Sequence, residues 1–195
     1  MGRHGLRTDH RPHRRRGGDL HEYPRLVYPA AQRHGWDGQS RVETLFSRCL
    51  QADDTPYVRA VSRKTFAAAV ARIYHPGIKF DCVPVFDGAQ GIGKSTLFKD
   101  LVGDEFYSET LSLTDMDDKS GAEKLQGFWV VEIGELAGMK KADIEKVKAF
   151  LSTSDDKYRP SYGKTVESHP RQCIIIATVN GERGYLRDIT GNRRF

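Results

Sequence analysis

The stretch Gly88-Ala89-Gln90-Gly91-Ile92-Gly93-Lys94-Ser95-Thr96 decides the fold. It follows an apolar run at 82–86 that is typical of a strand, and it precedes a run at 94–101 with helical periodicity. A glycine-rich loop between a strand and a helix lets backbone N–H groups approach phosphate oxygens, and the helix adds the positive end of its dipole. The stretch therefore predicts a phosphate-binding loop. A chance match in a glycine-containing turn is the competing interpretation, and both flanking elements argue against it.

The side chains of this loop predict the ligand. All nine residues of 88–96 are expected to contact the nucleotide, largely through their backbone. The Lys94 ammonium is expected to contact the β- and γ-phosphates, and the Ser95 hydroxyl is expected to bind magnesium. ATP and Mg²⁺ are therefore the predicted ligands.

Two further apolar runs predict the rest of the sheet. The runs at 128–133 and 173–178 are nearly continuous in apolar residues, as in a parallel sheet covered on both faces. A helix at 141–151 lies between them, with Ile144, Val147 and Leu151 on one side. This order predicts an α/β fold, a P-loop NTPase three-layer sandwich with a mainly parallel sheet. Pro84 in the first strand indicates a bulge or an edge position.

The sequence before the first strand divides into two parts. Residues 36–79 predict a helical segment, with helices at 39–50 and 64–74, and residues 80–195 form the predicted ATPase core. Residues 1–35 read as a basic tail that buries too little apolar surface to order.

The net charge of +5 comes from that tail. Residues 1–35 hold eight arginines and three acids, so 23 of the 31 Lys and Arg residues and 23 of the 26 Asp and Glu residues remain from Trp36 onward. The rest of the chain must therefore bind any polyanion through local patches.

No apolar stretch approaches the roughly 18 residues of a membrane helix, and no apolar region follows the basic N-terminus, so we expect no membrane partner and a cytoplasmic location. Cys49, Cys82 and Cys173 are far apart and are expected to be reduced and mostly buried.

Two acids end the second predicted strand. In the string FWVVEIGEL, Glu132 and Glu135 stand where an ATPase needs acids to hold the metal and to activate water. We assign Glu132 to the metal and Glu135 to the water. For either residue alone, a solvated or salt-bridged carboxylate remains the alternative.

Polar residues also follow the third predicted strand. Asn180 comes directly after it, where a side chain emerges beside the γ-phosphate, and a turn-forming Asn before Gly181 is the alternative. Arg187, Arg193 and Arg194 come next, and an arginine here can serve a neighbouring subunit as an arginine finger. Surface arginines are the other interpretation.

The segment 157–170 predicts a hairpin that binds DNA. Basic and aromatic side chains interleave around its turn, as proteins that bind single strands require. Because Asp155, Asp156 and Glu167 dilute the charge, a purely structural hairpin is the alternative. The residues assigned to DNA are Lys157, Arg159, Tyr162 and Lys164, with Tyr158 and Arg171 nearby.

The order and spacing of several motifs resemble the virulence-associated protein E family of phage, prophage and genomic islands. The likeness runs from Trp36 to Phe195 and is carried by WDG (36–38), DTPYVRAV (54–61), PGIKFD (76–81), GAQGIGKST (88–96), WVVEIGEL (129–136), YRPSYG (158–163) and TGNRRF (190–195).

The resemblance implies an ATPase akin to superfamily 3 helicases and AAA+ proteins, working as a homo-oligomeric ring, a hexamer, on single-stranded or forked DNA. It implies that the hairpin is a pre-sensor-1 hairpin, that Asn180 is a sensor, and that Arg193 or Arg194 is the finger. Family members continue past Phe195, so the resemblance also implies a longer full-length protein.

Three functions compete at this point. The first is a DNA-dependent ATPase or helicase motor for replication of a phage or mobile element. The second is a P-loop kinase of small molecules or nucleotides, which would want an acceptor pocket and an arginine-rich lid. The third is an inactive fragment that binds nucleotide only. The two strand-end acids and Asn180 favour the motor.

Overall fold

The computed structural model describes residues 37–134 and 141–181. Its centre is a four-stranded sheet formed by β1 (Val85–Asp87), β2 (Tyr107–Leu111), β3 (Val130–Ile133) and β6 (Ile174–Val179). The strand order is β1-β6-β3-β2, and every neighbouring pair is parallel. A separate antiparallel hairpin consists of β4 (Asp155–Tyr158) and β5 (Glu167–Pro170).

Helices precede and connect these strands. They are α1 (Leu45–Leu50), α2 (Pro56–Tyr74), α3 (Lys94–Val102), α4 (Lys119–Lys124) and α5 (Lys141–Ser152). Short 3₁₀ turns occupy Val42–Thr44, Asp104–Phe106 and Thr114–Asp117.

The two faces of the sheet bury two separate hydrophobic cores. On one face, Val130, Ile174 and Ile176 pack with Phe98 of α3 and with residues of α1 and α2. On the other, alternate residues of β3 and β6 pack with α5, including the predicted positions Ile144, Val147 and Leu151. The predicted mixed α/β architecture with a parallel sheet covered on both faces is confirmed.

Strand register brings the polar ends of the strands to one edge. Val85 of β1 pairs with Ala177 of β6, and Glu132 of β3 pairs with Ile176. The carboxyl ends of β1, β3 and β6 therefore lie side by side, which is where ligands bind in open parallel sheets.

Several element boundaries differ from the prediction. Helix α2 begins at Pro56, eight residues before the predicted start, because Thr55 caps it by accepting a hydrogen bond from Val58 N and proline suits the first helical position. Strand β1 begins directly after Pro84 and lies at one edge of the sheet that the structure describes, in agreement with the edge position that Pro84 indicated.

Strand β2 was not predicted at all. Its sequence, YSETL, contains only two apolar residues and follows no clean alternation, yet Tyr107, Ser108 and Leu111 are buried and the strand pairs with β3. A shift in register between Ser108 and Leu111 interrupts that pairing, so the pattern that identifies a regular strand is missing.

Hydrogen bonds of Arg72 join α2 to the sheet. Its buried guanidinium donates to three backbone oxygens, those of Cys173 at 2.7 Å, Phe80 at 2.9 Å and Ile78 at 3.2 Å. Burial lowers the pKa of Arg72. The helical segment is therefore joined to the start of β6 by hydrogen bonds as well as by apolar packing.

The cysteines differ from expectation in their exposure. Cys173 is buried, and burial raises the pKa of its thiol to about 11, whereas Cys49 and Cys82 are exposed. The expectation of mostly buried cysteines was wrong, because the side chain of Cys49 near the end of α1 and that of Cys82, next to the buried Val83, both lie at the surface.

Among the described residues, no helix is both long enough and apolar enough to cross a membrane. The predicted basic tail, 1–35, lies outside the described residues.

Candidate functional site

The loop between β1 and α3 has the backbone conformation that the sequence predicted. Gly91 and Gly93 have φ values of 83° and 88°, a left-handed backbone conformation that residues with a Cβ rarely adopt. Gly93 is the N-cap of α3 and supplies no side-chain hydrogen bond to the helix. The first N–H groups of α3 therefore have no acceptor from the helix or its cap, and they face a loop that leaves open space around Gly91 and Gly93.

Lys94, the first residue of α3, lies inside this loop. Its side chain is buried, and Nζ donates to the carbonyl oxygens of Gly88 at 2.8 Å and Ala89 at 2.9 Å. Asn180 Oδ1 lies 3.5 Å from the same ammonium group. The structure thus brings together two predicted site residues that are 86 positions apart.

Ser95 and Glu132, the two predicted magnesium ligands, are in direct contact. Ser95 Oγ donates to Glu132 Oε1 at 3.0 Å. Glu132 is 4% exposed and lies on the face of β3 that packs against α3. The hydroxyl and the carboxylate therefore form one cluster of oxygen atoms at the N-terminus of α3.

Two further hydroxyl groups donate to Glu132, and the sequence analysis missed both. Thr178 Oγ1 donates to Oε1 at 2.5 Å, and the Tyr107 hydroxyl donates to Oε2. Burial, followed by the hydrogen bond to Glu132, raises the pKa of Tyr107. A polar residue within the apolar run of β6 was the available signal for Thr178, whereas Tyr107 lies on a strand that was not predicted.

Asp87, at the end of β1, is a third residue that sequence reasoning missed. Its Oδ1 accepts a hydrogen bond from Gly181 N at 2.9 Å, and Gly88 N donates to Val179 O at 3.3 Å. These two bonds join the start of the loop to the end of β6 and fix Asn180 beside Lys94.

The contacts described above do not include every predicted site residue. Glu135, Arg187, Arg193 and Arg194 lie outside the described residues. Ala89, Gln90, Ile92 and Thr96 belong to the loop and the first turn of α3 and are exposed.

The predicted hairpin forms and carries an exposed basic tip. Strands β4 and β5 pair antiparallel, with Lys157 opposite Ser168. Tyr162 is 96% exposed at the turn, with a φ of 69°. All four residues assigned to DNA are exposed, namely Lys157, Arg159, Tyr162 and Lys164.

The base of the hairpin has a different chemistry. Arg171 is 2% exposed, donates to both carboxylate oxygens of Asp156 at 2.7 and 2.8 Å, and lies 4.3 Å from the Phe150 ring centroid. Its Nη1 also donates to Phe150 O at 2.7 Å. Arg171 is therefore a structural residue, and its inclusion among the basic side chains of a DNA-binding loop was wrong.

Asp155 and Asp156, two of the three acids of the hairpin, make side-chain contacts at its base. Asp156 is buried against Arg171, and both oxygens of Asp155 accept hydrogen bonds from Ser168 at 2.8 Å. Tyr158 stacks on His169 with 4.2 Å between ring centroids. Arg171 therefore neutralises Asp156, whereas Asp155 keeps its charge and the exposed Glu167 pairs with Tyr158 one residue before Arg159.

Together, these features define a class: a mixed α/β domain whose glycine-rich loop, helix N-terminus and buried carboxylate meet at the carboxyl edge of a parallel sheet. The family model described as the virulence-associated protein E-like domain matches residues 31–195. The chain belongs to this family. No curated protein matches its sequence.

Solved structures of the NrS-1 C-terminal region resemble part of the chain. One A-form apo structure of that region is 20% identical, with a TM-score of 0.45, and the match covers 70% of this chain and 32% of that one. A second, of residues 305–718, is 19% identical, with a TM-score of 0.43 and coverage of 71% and 32%. The match thus spans about a third of those chains.

Proposed function

We propose that this domain binds ATP and Mg²⁺ at residues 88–96, hydrolyses the nucleotide, and acts as a helicase or replication motor on DNA of a phage or mobile element. The observation that carries the proposal is the 3.0 Å contact between Ser95 Oγ and Glu132 Oε1. The strand that bears Glu132 is separated from β1 by β6. A glycine turn without a ligand would have no need of a buried acid facing the first turn of the following helix.

The oxygen atoms at this point suit magnesium. Mg²⁺ prefers hard oxygen ligands and is usually held by one or two protein groups together with substrate phosphates. Ser95 and Glu132 are the residues that would hold it. When bound, the metal neutralises charge on the phosphate oxygens.

The loop supplies the remaining groups for a triphosphate. The first-turn N–H groups of α3 point from the positive end of the helix dipole, and the loop backbone at Gly91 and Gly93 can approach phosphate closely. When a nucleotide binds, Lys94 would donate to phosphate oxygens instead of to the carbonyl oxygens of Gly88 and Ala89. Asn180, held beside Lys94 by the Asp87 contact, would then bind the γ-phosphate or the attacking water.

Two catalytic assignments remain proposals: that of Glu135, which rests on its place after the apolar run 128–133, and that of the arginine finger, which rests on the family resemblance. Glu135 would activate water, and Arg193 or Arg194 would act in trans in a ring, a hexamer in the full-length protein. For DNA, the support is the hairpin, which carries the exposed Tyr162 at its turn and the exposed basic residues Lys157, Arg159 and Lys164 on either side of it in sequence.

The experiment that tests the proposal is an ATP hydrolysis assay with and without single-stranded DNA. We expect turnover in the wild type and none in Lys94→Ala, because the ammonium group stabilises charge that develops on the phosphates. Lys99→Ala is the matched control, since Lys99 lies on the same helix and pairs only with the exposed Asp104 among the described residues. Undiminished hydrolysis by Lys94→Ala would show that the loop takes no part in the reaction.

The response to DNA separates the remaining alternatives. Faster hydrolysis with single-stranded DNA supports the motor, and hydrolysis that ignores DNA favours a kinase-like enzyme. Binding of ATP without turnover identifies a nucleotide-binding fragment.

A further inference from the structure

A cavity of about 800 Å³ lies between the helical segment and the strand that leads into the loop. One wall is a face of α2 that carries Val58 and Val61, and the opposite wall contains Phe80 and Phe86. Ile92 and Lys94 of the phosphate loop also line it. The cavity is therefore continuous with the place where we expect the phosphates to bind.

The apolar walls of this cavity face open space. Val58, Val61, Phe80 and Phe86 pack against the core on the α3 face of the sheet, yet each remains half-buried. Phe86 is held edge-on against Phe46, with 4.9 Å between the ring centroids. The cavity is thus mostly apolar and partly aromatic, with a few polar groups such as Lys64 and Asp87, as in sites that bind a flat aromatic ligand.

We propose that this cavity takes the nucleobase and ribose of the nucleotide whose phosphates lie on residues 88–96. The inference rests on the proposed function and names the part of the ligand that the loop cannot hold. A volume of about 800 Å³ is within the range of small-molecule sites. The helical segment then has a role in binding, because α2 supplies one wall of the nucleoside site.

The first test compares two ligands of the wild-type chain. Binding of ATP and of inorganic tripolyphosphate, each with magnesium, is measured by calorimetry. We expect ATP to bind at least about tenfold more tightly, because only ATP buries an aromatic base in the cavity. Equal affinities would overturn the inference and leave the phosphate loop intact. If neither ligand binds, the proposed function fails, and the inference fails with it.

The second test fills the cavity. Val61→Trp adds an indole ring to the α2 wall and is expected to lower ATP affinity about tenfold while leaving tripolyphosphate affinity unchanged. Val70→Trp is the matched control, since Val70 lies on the same helix, is 45% exposed and does not line the cavity. A folded Val61→Trp variant that binds ATP as tightly as Val70→Trp would contradict the inference. If Val61→Trp does not fold, the comparison of the two ligands decides.

Discussion

Glu132 is a buried acid within an apolar strand, and its hydroxyl partners explain why the fold tolerates it. A buried carboxylate is costly unless hydrogen bonds satisfy its oxygens. Ser95 and Thr178 donate to one oxygen and Tyr107 to the other, and these donors come from a helix and from the two strands that flank β3. The carboxylate is thus held in one orientation, with Ser95 beside it at the N-terminus of α3.

Tyr107 is expected to position Glu132 for the metal. Its raised pKa keeps the phenol protonated, so the hydrogen bond to Glu132 persists to above pH 10, the ordinary pKa of tyrosine. We predict that Tyr107→Phe raises the magnesium concentration for half-maximal hydrolysis about tenfold, because loss of a group that orients a metal ligand lowers metal affinity. A magnesium titration of the ATPase rate, compared with ATP binding in EDTA, measures this effect.

The control for that substitution is Tyr74→Phe, which removes a hydroxyl from a side chain that is 52% exposed. A Tyr107→Phe enzyme with wild-type magnesium dependence would show that Tyr107 only fills space.

Only some residues of this site could be predicted from the sequence. Lys94, Ser95, Glu132 and Asn180 were predicted, because a spacing motif or the end of an apolar strand identifies each of them. Thr178, Tyr107 and Asp87 were not, since their partners are set by strand register. Register depends on the whole sheet and is not visible in a local pattern.

At the scale of elements, the hairpin combines a rigid base with an exposed tip. Arg171 and Asp156 are both buried at the base, where removing one partner leaves an uncompensated charge. We predict that Arg171→Ala lowers the free energy of unfolding by about 3–5 kcal/mol in urea titrations. Arg159→Ala, at an exposed position of the same hairpin, is expected to change it by less than about 0.5 kcal/mol. Equal stability of the two variants would contradict the division into base and tip.

The tip is predicted to bind single-stranded DNA through charge and stacking. Substituting Lys164 with alanine is expected to weaken binding and to reduce the slope of log affinity against log salt concentration by about 0.7, the value for one phosphate contact. Tyr162→Ala is expected to cost about 1–3 kcal/mol of binding with little change in that slope, since stacking involves no counterion release. Fluorescence anisotropy at several salt concentrations separates the two effects. A salt slope that Lys164→Ala leaves unchanged would place the DNA elsewhere.

Element prediction succeeded where hydrophobic periodicity was regular. The strands β3 and β6, the helix α5 and the hairpin all lie where the sequence placed them. Helix α2 was predicted too short because its first turn has Pro56 and no clear apolar stripe. Strand β2 was missed because an irregular register breaks its alternation.

At the scale of the whole molecule, the helical segment packs directly against the sheet beside the loop. Hydrogen bonds of Arg72 join α2 to Phe80 and Cys173, which precede β1 and β6. The rings of Phe46 in α1 and Phe98 in α3 pack against Phe86, and Phe66 of α2 packs against Phe46 and Phe98. The sequence predicted both parts but not their contact, because that contact joins residues far apart in the chain. The division at 79–80 is therefore a boundary in sequence that many side-chain contacts cross.

The most direct test of the central claim is calorimetric titration of ATP with and without magnesium, in the wild type and in Glu132→Gln. This substitution keeps the shape of the side chain and removes its charge. If the loop and Glu132 form one magnesium–nucleotide site, magnesium strengthens ATP binding at least about tenfold in the wild type and far less in the variant. Absence of ATP binding in the wild type, or an equal effect of magnesium in both proteins, would contradict the claim.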